Sequence, residues 1–308
     1  MMKKIKYVIA ILIVMLAVTV SCKKDDDTVT IIPPRDRGPE ALREQDSIEK
    51  FLESHFYNYE EFQNPPVDFD YRIRFDTIPK GNTDLKPLIG QVDFKMVKDL
   101  VDDTVEYKLY YIKVREGGAD EHPHFCDKVT NTYDGRLMNL DLFDSSVIPV
   151  QFDLVESATS SGIIRGLQQA MIEFKGAKGE PIINPDGTLT FKDYGIGAVF
   201  IPSGLAYFQY PPASGGLNEY EQLIFSFQLF DFEVMDHDND GIDSYLEDLS
   251  NKGYFVDDTD GDGVLNYLDY DDDGDGRPTE FEIEIINGVV IYPDKNRNGI
   301  VDYLDPTI

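Results

Sequence analysis

Hydrophobic and polar positions change their rhythm several times along the chain. An unbroken apolar run from Tyr7 to Val20 follows Lys3, Lys4 and Lys6. In "DSIEKFLESHFYNYEEF", Ile48, Phe51, Leu52 and His55/Phe56 fall at helical spacing behind Asp46, which predicts a short amphipathic helix capped by Asp46. From Thr104 the period becomes two, and "TVEYKLYYIKVREGG" reads as a strand closing on a Gly-Gly turn. "DKVTNTYDGRLMN", "LDLFDSSVIPVQFDLV", "GAVFIPSGLAYFQYPP" and "EQLIFSFQLFDFE" read as further extended segments, and "SSGIIRGLQQAMIEFKG" as a helix. Several strands around one helix predict an α+β domain, an antiparallel β-sheet wrapped around one short α-helix.

Composition adds a constraint. With 308 residues, 42% of them hydrophobic, the chain can bury one core of ordinary size and a small second module. Acids outnumber bases 58 to 28, a net charge of −30, which argues against nucleic acid as a partner and asks for cations.

The lysines and apolar run of residues 1–21 read as a secretion signal, too short to span a bilayer comfortably. "VTVSC" resembles a bacterial lipobox, and "CKKDD" resembles a tag that exports lipoproteins to the cell exterior. These resemblances imply lipidation at Cys22, a flexible tether over 22–45 and an outer-membrane location, facing either outward or into the periplasm. The one other cysteine, Cys126, leaves no intramolecular disulfide to expect. It stands in "HPHFC" with His122 and His124, a transition-metal pattern lacking a fourth ligand.

Four segments carry a resemblance to a known family. "TYDGRLMNLDLFDSS", "IIRGLQQAM", "IPSGLAYF" and "LIFSFQLFDFE" resemble, in order, the signature segments of FKBP-type peptidyl-prolyl cis-trans isomerases. The resemblance covers roughly residues 105–232 and implies an FKBP-like fold and isomerase activity without a cofactor for catalysis. It places Tyr133, Phe143, Asp144, Ile163, Ile164, Tyr207 and Phe225 at pocket positions, Leu167 where the floor often has Trp, and Val150 and Leu217 at wall positions. Leu140 and Phe208 stand where the family has glycines, and residues 176–197 form a longer insertion whose "NPDGTLTF" reads as a hairpin flap.

The chemistry suits such residues. Rotation about X-Pro crosses a barrier of about 18–20 kcal/mol because amide resonance must be broken. No nucleophile is needed, only a site that holds the twisted imide better than the planar forms. Phe143, Phe225, Ile164 and Leu167 would supply an apolar cup and Tyr207 a hydroxyl donor. The resemblance gives Ile164 a backbone N–H role, and Asp144 with Tyr133 would form a polar lip.

The end of the chain turns to aspartate. Twelve-residue calcium loops draw oxygens from positions 1, 3, 5, 7, 9 and 12, with Gly at 6. "DHDNDGIDSYLE" supplies Asp236, Asp238, Asp240, Ser244 and Glu247, and "DTDGDGVLNYLD" supplies Asp258, Asp260, Asp262, Asn266 and Asp269. "DDDGDGRPTEFE" supplies Asp271, Asp273, Asp275, Thr279 and Glu282, and "DKNRNGIVDYLD" supplies Asp294, Asn296, Asn298, Asp302 and Asp305. Turn glycines 241, 263, 276 and 299 are 22, 13 and 23 residues apart, an alternation that resembles thrombospondin type 3 repeats. It implies structural Ca²⁺ in a segment with little regular structure.

These readings give a signal over 1–21, a tether over 22–45, an accessory segment over 46–104, an FKBP-type domain over 105–233 and calcium repeats over 234–308. The expected function is prolyl isomerisation of exported proteins. A catalytically inactive FKBP-like module that binds a surface protein partner with calcium is the alternative, and a dockerin-like plug is a further one.

Overall fold

In the computed structural model, residues 33–213 and 215–308 are described. The first helix, α1 (Arg37–Ser54), begins well before Asp46, behind Asp36, whose Oδ1 accepts the Gly38 N–H at 3.2 Å. Pro39 sits in the first turn, where an N–H has no intrahelical acceptor. Ala41 and Glu44 then continue the buried face of Ile48, Phe51 and Leu52. Residues 37–45 are therefore helix and not tether, and Asp46 pairs with Lys50 one turn on. A small hairpin-like pair, β1 (His55–Tyr57) with β2 (Phe75–Thr77), and a short α2 (Tyr59–Gln63) lead toward the main sheet.

Six antiparallel strands make that sheet: β3 (Asp93–Lys98), β4 (Glu106–Arg115), β5 (Lys128–Leu137), β6 (Leu142–Asp153), β9 (Gly195–Ile201) and β10 (Leu223–Glu233), in the order β3-β4-β9-β10-β5-β6. Period-two alternation sends Leu109, Tyr111, Val199, Ile201, Phe225 and Phe227 to one face and Tyr110, Ile112, Phe200 and Ile224 to the other. Helix α3 (Arg165–Met171) packs on the first face and α1 on the second. β3, within the stretch expected to be accessory, is thus an edge strand of the sheet. Pro149 is accommodated because β6 is the other edge and bulges there, the register passing from Asn131↔Val150 to Tyr133↔Ser146.

The seat of α3 is close. A Cβ on Gly166 would stand 2.4 Å from Ile201 Cγ2, so only glycine lets the helix settle against β9. The 176–197 insertion does form a hairpin, β7 (Ile182–Ile183) with β8 (Leu189–Thr190), but Phe191 stacks on Phe230 at 4.7 Å and the hairpin lines no part of the cavity formed by Tyr133, Tyr207 and Phe225.

The aspartate-rich segment departs from the expected irregularity. Each twelve-residue loop ends in a single 3₁₀ turn, at Ser244–Glu247, Asn266–Leu268, Thr279–Phe281 and Asp302–Leu304. A hairpin of β11 (Glu284–Ile286) and β12 (Val289–Ile291) stands between the third and fourth. Ile242, Ile283 and Tyr303 form a small core of its own. It seats on the domain through Tyr245, stacked on His124 at 3.6 Å, and the Tyr267 hydroxyl, which donates to Glu156 O at 2.9 Å.

The predicted signal and Cys22 lie outside the described residues. The membrane partnership through a lipid at Cys22 does not stand: the chain has two cysteines, Cys126 is buried, and "VTVSC" is not a typical lipobox, with Thr19 where Leu is commonest. Among the described residues no helix is long and apolar enough to cross a membrane.

Glu44 joins α1 to the turn that follows β9. Fully buried, its carboxylate accepts the Ser203 N–H at 2.9 Å and the Ser203 hydroxyl at 2.5 Å. Burial outweighs those bonds and pushes its pKa from 4.5 up to about 7. The folded state therefore holds a proton that the unfolded chain releases, and the contribution present below pH 4.5 is lost as pH rises through about 7. Glu44→Gln should abolish that part of the pH dependence, worth at most about 3 kcal/mol; thermal melts across the range check it, and identical slopes in both proteins would contradict it.

Candidate functional site

The concave face beside α3 holds a cavity of about 430 Å³ lined by ten residues. Tyr133 comes from β5 and Asp144 and Phe152 from β6; Ile163, Ile164 and Leu167 come from the entry to α3, Phe225 from β10, and Tyr207 from the turn after Ser203–Leu205. The Tyr133 hydroxyl donates to Asp144 Oδ2 at 2.8 Å. Its ring lies 6.1 Å from that of Phe225 and 5.0 Å from that of Phe152. Phe143 meets Phe225 edge-on at 5.6 Å but lines a neighbouring cavity, shared with Asp144, Tyr207 and Leu217.

Seven of the eight pocket residues named from the sequence thus line one cavity, and Phe143 stands next to it. Val150 does not line it. Phe152, on the same face of β6 two residues on, takes the wall, and the sequence signal was this shared parity with a larger aromatic ring. Burial, then the charge of Asp144, raises the pKa of Tyr207, so its hydroxyl remains a proton donor at neutral pH. The rim keeps the backbone of the glycines it lacks: Leu140 has φ 70° and Phe208 φ 50°. Such left-handed residues cost about 1–2 kcal/mol each, and Phe208 offsets this by packing edge-on against Tyr220 at 4.9 Å and under Arg37 at 4.2 Å.

The acidic loops repeat one wiring four times. The first-position Asp236, Asp258, Asp271 and Asp294 each accept the N–H of the loop's sixth-position glycine at 3.0–3.1 Å. Third positions Asp238, Asp260, Asp273 and Asn296 accept from the fifth residue's N–H, and fifth positions Asp240, Asp262, Asp275 and Asn298 from the seventh's. These turns gather Asp236, Asp238 and Asp240; Asp258, Asp260 and Asp262; and Asp271, Asp273 and Asp275, each trio with oxygens within 4.8 Å of one another. Such groups can coordinate a metal ion. A further group joins Asp240 and Glu247 to Asp272, an even-numbered loop position that ligand spacing had passed over.

Ninth positions do other work. Ser244, Asn266, Thr279 and Asp302 accept the N–H of the second loop residue at 2.8–3.3 Å, which fastens each loop shut. Asn266 also donates to Thr259 Oγ1, and Asp302 pairs with Lys295 at 2.7 Å. In the fourth loop Asn296 and Asn298 both donate to Asp305 Oδ2, and Asp294, Asp302 and Asp305 form no acidic group of three; nor do Asp269 and Glu282 enter one.

Oxygens are left over, both of Glu282's among them. Asp238 Oδ2, Asp240 Oδ2, Asp272 Oδ1, Asp273 Oδ2 and both oxygens of Glu247 are buried without a hydrogen-bond partner. Burial, reinforced by neighbouring carboxylates, pushes Asp238 up to about 8, Asp272 to about 7 and Glu247 to about 11. The "HPHFC" residues do not converge on a metal: His122 faces Glu116 at 3.2 Å, His124 bonds Asp127 at 3.1 Å, and Cys126 is buried.

Residues 237–303 match the model of the BamM C-terminal family. That match corrects the resemblance to thrombospondin type 3 repeats. Among curated proteins none matches. Among solved structures, a peptidyl-prolyl cis-trans isomerase from Pseudomonas syringae pv. tomato is similar at 20% identity and a TM-score of 0.32, over 46% of this chain and 81% of its own. FkpA from Escherichia coli is similar at 24% identity and a TM-score of 0.31, over 45% and 51%. The three FKBP domains of wheat FKBP73 are similar at 16% and 0.32, over 46% and 51%. The chain spans about half the length of these last two.

Two outcomes follow from the packing. Burial raises the pKa of the Cys126 thiol, so a thiol reagent should modify the native protein far more slowly than the unfolded one; equal rates would contradict its burial. Asn266→Ala removes both bonds that close the second loop and should destabilise the aspartate-rich segment by about 1–3 kcal/mol, read as faster amide exchange at residues 258–269.

Proposed function

We propose that the chain is a prolyl isomerase whose aspartate-rich end is held by bound calcium. The observation that carries the first half is the convergence of Tyr133, Asp144, Ile163, Ile164, Leu167, Tyr207 and Phe225, from separate elements, on one cavity. A planar X-Pro amide carries charge separation that the twisted form loses. The apolar wall of Leu167, Ile164, Phe152 and Phe225 therefore favours the twisted form over water, while Tyr207 donates to the carbonyl preceding proline. The Tyr133–Asp144 pair holds the polar rim, and Ile164 offers its backbone N–H to the substrate chain.

Calcium is favoured in the loops by the donor set. Hard cations take six to eight oxygens, and buried carboxylate oxygens without protein partners are what such an ion satisfies. Asp240, Glu247 and Asp272 would hold one such ion, and Asp238 and Asp273 belong to the separate trios of the first and third loops. When bound, calcium would neutralise the carboxylates and tie the first loop to the third.

The isomerase reading is tested by the rate of X-Pro exchange in a short peptide. The parent protein should accelerate it, and Tyr207→Phe and Phe225→Ala should each lower kcat/KM by about tenfold or more. A folded parent with no rate above background would leave the cavity as a binding module for proline-containing chains.

The calcium reading is tested by chelation. Removing calcium should lower the melting temperature and loosen residues 236–305, and added calcium should restore both. Glu247→Gln should weaken the restoration. Melts indifferent to calcium would overturn this half and leave the isomerase untouched.

A further inference from the structure

A second recess, of about 550 Å³, lies on the other side of the start of α3. Ile164 lines the aromatic cavity, and its neighbour Arg165 lines this recess. The other walls are the consecutive residues 95–98 of β3, the 123–125 loop, Gln169, Ile172 and Glu173 along and just past α3, and Tyr245, Asp248 and residues 251–254. Four cations, Lys95, Lys98, Arg165 and Lys252, line it against two carboxylates, Glu173 and Asp248, a local excess of positive charge in a chain of net charge −30.

Lys95 is satisfied, bonded to Glu173 at 2.7 Å and to the Gln169 carbonyl. Arg165 is not. Its guanidinium lies 5.2 Å from the Tyr254 ring centre, and its Nε is buried with no hydrogen-bond partner. Asp99, the carboxylate whose charge reaches it, is already engaged by Arg37 and Tyr107. Lys252 approaches the same Tyr254 ring at 5.9 Å. Asp248, the acid in the wall beside it, accepts the Lys252 and Gly253 N–H groups and so serves its own turn.

β3 is also the last strand of its sheet, with no strand on its outer side among the described residues. An extended chain adds to such an edge by main-chain hydrogen bonds, while side-chain contacts select its sequence. We propose that this recess binds an acidic segment of polypeptide, laid along the β3 edge, with its carboxylates on Arg165, Lys252 and Lys98. A guanidinium with an unpaired N–H suits a carboxylate, which accepts two parallel bonds.

The test uses the full chain and a labelled Asp/Glu-rich peptide without proline, so that the aromatic cavity is not engaged, followed by fluorescence anisotropy. Saturable binding is expected, weakened roughly tenfold by Arg165→Gln and by Lys252→Gln and progressively by salt. Lys252 is a loop side chain, so its variant keeps the test open if Arg165→Gln fails to fold. Equal binding of the matching Asn/Gln peptide would overturn the proposal, as would indifference to Lys252→Gln. No binding of the peptide, with inorganic phosphate alone binding by calorimetry, would also overturn it, leaving a site for small anions only.

Discussion

The close seat of α3 against β9 governs the domain. With Gly166 over Ile201, the helix lies near enough to the sheet for Leu167, Ala170 and Met171 to be fully buried. Its entry, Ile163 and Ile164, then comes up against Tyr133, Phe225 and Tyr207 and closes a cavity instead of a core. Any side chain at 166 would lift the helix and open that cavity along its floor. The same helix start carries Arg165 into the recess on its other side, so one element shapes both sites.

A second constraint is electrostatic. The aspartate-rich segment buries carboxylates around a core of only Ile242, Ile283 and Tyr303, too little apolar surface to offset so much desolvation. Its backbone is organised by repeated Asx turns, and in the first and third loops Asp238, Asp240 and Asp273 keep a second oxygen buried without a partner. Such groups can coordinate a metal ion, which would stabilise that arrangement. Seated on His124 and Glu156, the segment then becomes a wall of the cationic recess and joins the two halves of the chain.

Much of this was legible in the sequence, and the gaps have physical causes. Strand alternation and the single helix of the domain could be read because one face of each strand is buried, and the pocket residues because they fall within four short segments. The start of α1 was missed because Asp36 and Asp46 are equally good caps, and only the burial of Ala41 and Glu44 against the sheet decides between them. β3 was missed because its burial is one-sided and sparse. Phe152 and Asp272 were passed over because each is chosen by three-dimensional neighbours, a β-bulge in one case and a different loop in the other. Loop spacing alone did not distinguish thrombospondin type 3 repeats from the BamM C-terminal family.

The most direct test of the central claim is exchange spectroscopy of a short X-Pro peptide in the presence of isotope-labelled protein. The account predicts that cis and trans peptide signals exchange through the bound state while shifts change at Tyr207, Phe225 and Ile164. Binding that perturbs those residues without exchange between the isomers would contradict it.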